Sequence, residues 1–226
     1  AERVDRDWPY ERWVGWLLPG VTAALYLRTL GATVGQADPF EFQVVAPMLG
    51  VAHPTGYPLY ILSGKLFSLL PLGSVAWRVN LTSACFASAA VWVVYQLVRR
   101  LSDGALIRVQ HQALVALLAA LALACSSVFW SQAIVAEVYA LHNLFVAGIL
   151  LLLVDMMARP PEPRQFYLLV FLLGLSLTNH LTTVLLLPAV GLAVFLVGTR
   201  WGWRRLRVNV PIAVGCFLLG LSLYLY

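Results

Sequence analysis

Charge is what this sequence has least of. Only 10 of its 226 residues are Asp or Glu and 15 are Lys or Arg, so charged residues amount to 11%, less than half of the usual share of about 25%. Three cysteines, Cys85, Cys125 and Cys216, each sit inside an apolar run. They read as small hydrophobes and exclude a disulfide scaffold or a cysteine metal centre. No internal repeat is visible, and no Gly-rich phosphate loop, dinucleotide fingerprint or nucleic-acid motif appears. A nucleotide-driven enzyme and a nucleic-acid binder are thereby set aside. The first twelve residues carry charge and the apolar run after them is long, so no cleavable signal peptide is read.

What the sequence has in excess is apolar surface. Hydrophobic residues make up 61% and the mean hydropathy is +0.83, which predicts an all-α integral membrane protein. Apolar segments run over 13–32, 57–72, 76–98, 112–130, 137–157, 165–180, 181–198 and 209–226. A helical span needs about 20 residues. Segment 57–72 falls short of that and contains Gly64 and Lys65. The stretch 165–198 holds two spans only if the chain turns near Asn179 and His180.

Orientation follows from the basic residues, which concentrate in short cytoplasmic loops. With residues 1–12 inside and 57–72 re-entrant or interfacial, Arg99, Arg100 and Arg108, then Arg159 and Arg164, then Arg200, Arg204, Arg205 and Arg207 all fall on the cytoplasmic side. Adding Arg3, Arg6 and Arg12 places twelve of the fifteen basic residues there. Counting 57–72 as a span would move two of these clusters outside. The expectation is therefore about seven transmembrane helices in one module over 13–226, with a long membrane-associated extracytoplasmic loop over 33–75. The chain starts at Ala1 and stops at Tyr226 inside an apolar run, so it reads as part of something longer. The net charge of +5 needs no partner beyond anionic membrane lipid.

This topology gathers the scarce polar residues on one face. Asp38, Glu41, His53 and Lys65 lie in the loop, Arg28 and Arg78 at the outer ends of the first two long spans, Glu137 and His142 at the start of another, and Asn179 and His180 at a turn. Ionisable groups at membrane depth are costly and mark functional sites by default. Bland readings stand beside each. Asp38 before Pro39 suits a turn, Lys65 and Arg78 suit snorkelling to headgroups, and His180 beside Asn179 suits a helix cap.

The quoted stretches "DPFEF", "LGVAHPTGYPLY", "WRVNLTSA", "AEVYALHNLF" and "GLSLTNHLTTVLLLP" resemble, in order, the motifs of a bacterial family of polytopic membrane proteins. That family is similar to the transmembrane protein O-mannosyltransferases of the C-type glycosyltransferase superfamily. The resemblance implies a hexosyl transfer, with mannose as the expected sugar, from a polyprenyl-phosphate donor to an extracytoplasmic protein or other acceptor. It places the active face outside a bacterial cytoplasmic membrane. The developing charge of a leaving polyprenyl phosphate suits Lys65, Arg78, His53 and His180, with Tyr57, Glu137 and Asn179 in support. The resemblance matches Asp38, with its neighbour Glu41, to catalysis, and His53, Lys65 and Arg78 to its motif positions. It implies no definite cofactor: Asp38, Glu41, His53 and Glu137 offer oxygen and nitrogen ligands for a divalent metal, but their spacing matches no defined site. Family members are longer than this chain. A second reading is a non-catalytic subunit of a membrane complex, whose small-residue stretches such as "LTSACFASAAV" allow close helix contacts. A transporter is a weaker third, because the polar groups lie at one surface rather than at the midplane.

Overall fold

The computed structural model describes residues 9–103, 109–159 and 162–226. Arg3, Arg6 and Arg108, which entered the orientation reading, lie outside them. Ten α-helices follow one another: α1 (Pro9–Thr29), α2 (Asp38–Met48), α3 (Pro58–Ser68), α4 (Val75–Ser102), α5 (Val109–Ala124), α6 (Ser127–Ala133), α7 (Tyr139–Ala158), α8 (Pro163–Leu177), α9 (Leu187–Trp201) and α10 (Trp203–Leu221). A 3₁₀ turn, Leu181–Leu186, leads into α9, and a second follows α10. Among the described residues there is no strand.

Among the described residues, four helices are long and apolar enough to cross a bilayer: Val75–Ser102, Tyr139–Ala158, Leu181–Trp201 and Trp203–Leu225. The expected seven is not confirmed by that measure. The segment expected as one straight span over 112–130 is a helix pair bent by 67°, and it makes a fifth span only if both halves count as one. Ser126 causes the break: its hydroxyl accepts the Phe129 amide at 3.3 Å, starting a new helix where the old one would have continued. Tyr26 donates its hydroxyl to the freed Ala124 carbonyl at 3.0 Å. α8 has only 15 residues, and α1 reaches 21 residues but is diluted by charge at its ends.

α4 is the central helix. Its buried positions include Ser83, Ala84, Ala87, Ser88, Ala90 and Val91, and this small-residue face lets α1, α5 and α7 pack against it. Ser74 caps its start, accepting the Trp77 amide at 3.1 Å. A second packed layer is α8 against α10. There Gly174 and Gly220 face the opposing backbone so closely that an added Cβ would lie 2.3 Å from the Phe217 carbonyl oxygen or 2.4 Å from that of Phe171. Outside these contacts, Leu185, Leu192, Val208, Leu218 and Leu219 are exposed, as lipid-facing side chains are.

The segment expected as a loop over 33–75 contains two helices, α2 and α3, packed on each other and on α4. α3 is 11 residues long, about 16 Å at the helical rise, so it cannot cross a hydrocarbon core of about 30 Å. Sequence periodicity offered no α2. It is framed by left-handed residues that are not glycine, Ala37 at φ 53° before it and Leu49 at φ 54° after it.

Candidate active site

Asp38 and Glu41 form the first turn of α2, where the helix dipole favours negative charge. A polar chain anchors the link from α1 to α2. The Gly35 amide donates to Gln43 Oε1, Gln43 Nε2 to Asn80 Oδ1, and Asn80 Nδ2 to the Gly31 carbonyl, each at 2.8 Å. α4 thereby fixes where α2 begins. Asp38 is exposed.

Glu41 is a clamp. One carboxylate oxygen accepts the His53 backbone N–H at 2.8 Å, and the other meets His53 Nδ1 at 2.5 Å. The His53 hydrogen bond holds the Glu41 carboxyl below the ordinary carboxylate range. The ionised Glu41 carboxylate makes His53 Nδ1 the donor of that contact, and Nε2 is free of the clamp. Ligand atoms of Asp38, Glu41 and His53 lie within 4.8 Å of one another, a mixed oxygen and nitrogen set of a kind that holds divalent cations.

A row of rings runs on from His53. Tyr57, the left-handed residue at φ 49° that starts α3, stands 5.0 Å from His53 and 6.3 Å from His180. His180 lies 5.5 Å from Tyr139 and 5.1 Å from His142. The chain turn at Thr178–His180 falls where the sequence reading put it. Asn179 is fully buried and donates to the Val138 carbonyl at 3.1 Å, joining that turn to the one before α7. Burial pushes the His180 imidazole below its ordinary pKa, so it is neutral at pH 7.

Glu137 sits in the turn between α6 and α7, 8% exposed. Its backbone is held on both sides by Ser83 Oγ, which donates to the Glu137 carbonyl at 3.0 Å and accepts its N–H at 3.1 Å. Ser83 also shares a 2.8 Å bond with the Tyr60 hydroxyl. Burial, reinforced by the Asp38 charge, pushes the Glu137 carboxyl up to about 7. Because the folded state binds this proton more tightly than the unfolded chain, ionisation destabilises the fold as pH rises from the unfolded pKa toward 7, and the cost is complete above 7. Glu137→Gln is therefore expected to raise the melting temperature in detergent at pH 8 and to match wild type at pH 4. Equal melting temperatures at pH 8 would sink this account.

Lys65 and Arg78 stand apart from these groups in their contacts. Lys65 Nζ donates to the Pro47 carbonyl at 2.6 Å, and Arg78 reaches the carbonyls of Ser68 and Leu70 at 2.6 Å each and that of Ser74 at 3.3 Å. Both cations satisfy carbonyls at the ends of helices and in the turns between them. The structure thus joins Asp38, Glu41 and His53 in one cluster, continues through Tyr57 to His180, and lays Glu137 and Asn179 alongside. Tyr139 and Thr182 were missed by the sequence reading, and His142 was noticed but given no role. The spacing of Thr182 to His180 in "NHLT" was the one signal available for it.

Residues 38–202 match the family described as the protein O-mannosyl-transferase TMEM260 N-terminal domain. Over 167 residues the chain is 37% identical to the protein O-mannosyl-transferase TMEM260 of Mus musculus, covering 72% of this chain and 23% of that protein. Over 218 residues it is 31% identical to the protein O-mannosyl-transferase tmem260 of Dictyostelium discoideum, covering 89% of this chain and 25% of that protein. The chain thus spans about a quarter of the length of these curated relatives. No solved structure matches it.

Proposed function

Since the chain belongs to the family of the protein O-mannosyl-transferase TMEM260 N-terminal domain, we propose that it carries the reacting centre of a glycosyltransferase, moving a mannosyl group from a polyprenyl phosphate to a hydroxyl of an extracytoplasmic protein. The observation that carries this reading is the Asp38, Glu41 and His53 cluster within 4.8 Å at the start of a short helix that cannot span the membrane.

In this reading Asp38 takes the proton from the acceptor hydroxyl as its oxygen bonds to the anomeric carbon. The bond from that carbon to the phosphate oxygen breaks, and the polyprenyl phosphate leaves with the electron pair. An exposed carboxylate is accessible to an incoming acceptor, and Glu41, already occupied by His53 on both oxygens, serves to orient. His53 and His180 face the phosphate side. Lys65 uses one of its three N–H donors and Arg78 three of its five on carbonyls, so both hold α2, α3 and the start of α4 in place while keeping donors for a phosphate. A divalent cation bound at the cluster would supply further positive charge toward the leaving phosphate.

The test uses the full-length protein with a radiolabelled mannosyl-phosphoryl-polyprenol and an acceptor protein, with no nucleotide sugar present. Label is expected on the acceptor. Transfer from a nucleotide-linked mannose but not from the lipid would refute the donor class.

A further inference from the structure

Thr182 makes three contacts that allow a single proton arrangement. Its backbone N–H donates to His180 Nδ1 at 3.3 Å, so that nitrogen carries no proton. The Thr182 hydroxyl lies 2.6 Å from the same Nδ1, and a contact that short to a bare nitrogen requires the hydroxyl to donate. His142 Nε2, 3.1 Å from the same hydroxyl oxygen, must then be the donor to it, because the hydroxyl has only one hydrogen. Both imidazoles are thereby set to the Nε2–H form. His142 Nδ1 stays bare, and it is buried with no hydrogen-bond partner among the described residues. The Nε2–H of His180 is the end of the chain and has no protein partner among the described residues.

From this we infer that Thr182 is a positioning residue, which with His142 behind it locks His180 so that its Nε2–H is a fixed, neutral hydrogen-bond donor to the phosphoryl oxygens of the lipid donor. The inference rests on the proposed function for the identity of that ligand, whereas the proton arrangement rests on geometry alone. A donor held on two sides, by a backbone amide and a hydroxyl, is already oriented when the phosphate group arrives, so its contribution falls on donor binding. Tyr57 and Tyr139 flank the His180 ring at 6.3 and 5.5 Å. Lys65 and Arg78 spend part of their donors on carbonyls, and His180 adds a neutral donor of a different kind. Burial that disfavours the charged form of His180 also favours the arrangement, since a protonated Nδ1 would lose the Thr182 amide bond and reverse the hydroxyl one.

Two measurements on the full-length protein in detergent separate this inference from the reading beneath it. In ¹⁵N-histidine spectra, His180 and His142 are expected to show an unprotonated Nδ1 and a protonated Nε2. Protonation of His180 Nδ1 would overturn the arrangement, whatever the protein does to sugars. In transfer assays with mannosyl-phosphoryl-polyprenol, Thr182→Val, which keeps shape and removes the hydroxyl, is expected to raise the donor KM about tenfold with kcat changed far less, and Thr182→Ser is expected to restore it. An unchanged donor KM in Thr182→Val, or a Ser variant as impaired as Val, refutes the positioning role. Wild-type protein that gives the expected spectra and transfers no sugar refutes the donor reading and, with it, the phosphate as the ligand of His180.

Discussion

Asp38→Asn in the full-length protein is expected to lower sugar transfer by at least about a hundredfold, the size of effect that removing a general base produces, while leaving the protein folded. The asparagine keeps the shape and the position at the start of α2, and it cannot take a proton. The structural cost is small on two grounds. Asp38 is exposed, and a charge lost from a helix first turn costs about 0.3–1 kcal/mol. Measured together, an intact melting temperature with transfer lost places Asp38 in the reaction; transfer within tenfold of wild type removes it. Glu41→Gln separates base from clamp, since it too is expected to impair transfer, but through a displaced His53.

Gly174→Ala is expected to be strongly destabilising. Helix propensity alone would favour alanine by about 1 kcal/mol. Against it stands a Cβ that would lie 2.3 Å from the Phe217 carbonyl oxygen and 3.2 Å from the Leu221 nitrogen. These are backbone atoms and cannot swing aside, so α8 and α10 must separate. Overpacking of this kind costs about 1–3 kcal/mol and at times more, and the small-residue contact that holds membrane helices together is lost with it. Gly148 and Gly191 are the internal controls, because nothing lies within 4 Å of a Cβ added at either. Alanine at those two positions is expected to be neutral or stabilising. Thermal unfolding in detergent checks all three, and a Gly174→Ala protein as stable as the controls would show that α8 and α10 do not meet as described.

Much of this was legible in the sequence, and the reasons differ by level. The all-helical membrane class followed from the scarcity of charge. The turn at Asn179 and His180 followed from two polar residues interrupting an apolar run. The convergence of Asp38, Glu41, His53 and His180 was expected because costly groups do not gather by accident. Three features stayed hidden. The bend after Ala124 needs only Ser126 as a cap, and a pair of serines in an apolar run reads equally well as part of a straight membrane helix. The bond between His142 and Thr182 joins residues forty apart, and no local pattern encodes it. Lys65 and Arg78 are recognisable as cations at a site, but whether a cation meets a ligand or a stray carbonyl depends on where chain ends fall in space. That last point most changes the chemistry, because it gives the two cations a structural share beside any contact with an anion.

The left-handed residues around α2 and α3 carry a lesson about portability. Ala37, Leu49 and Tyr57 have side chains that disfavour positive φ, at a cost of roughly 1–2 kcal/mol each. None of these turns is written in its own residue. Each is imposed from elsewhere: by Asn80 and Gln43 holding Gly31 and Gly35, by Glu41 gripping the His53 amide, and by the packing of α3 on α4. A segment spanning 35–60 transplanted into another scaffold would relax into a different path unless Glu41, Gln43 and a partner for them on the host helix travelled with it.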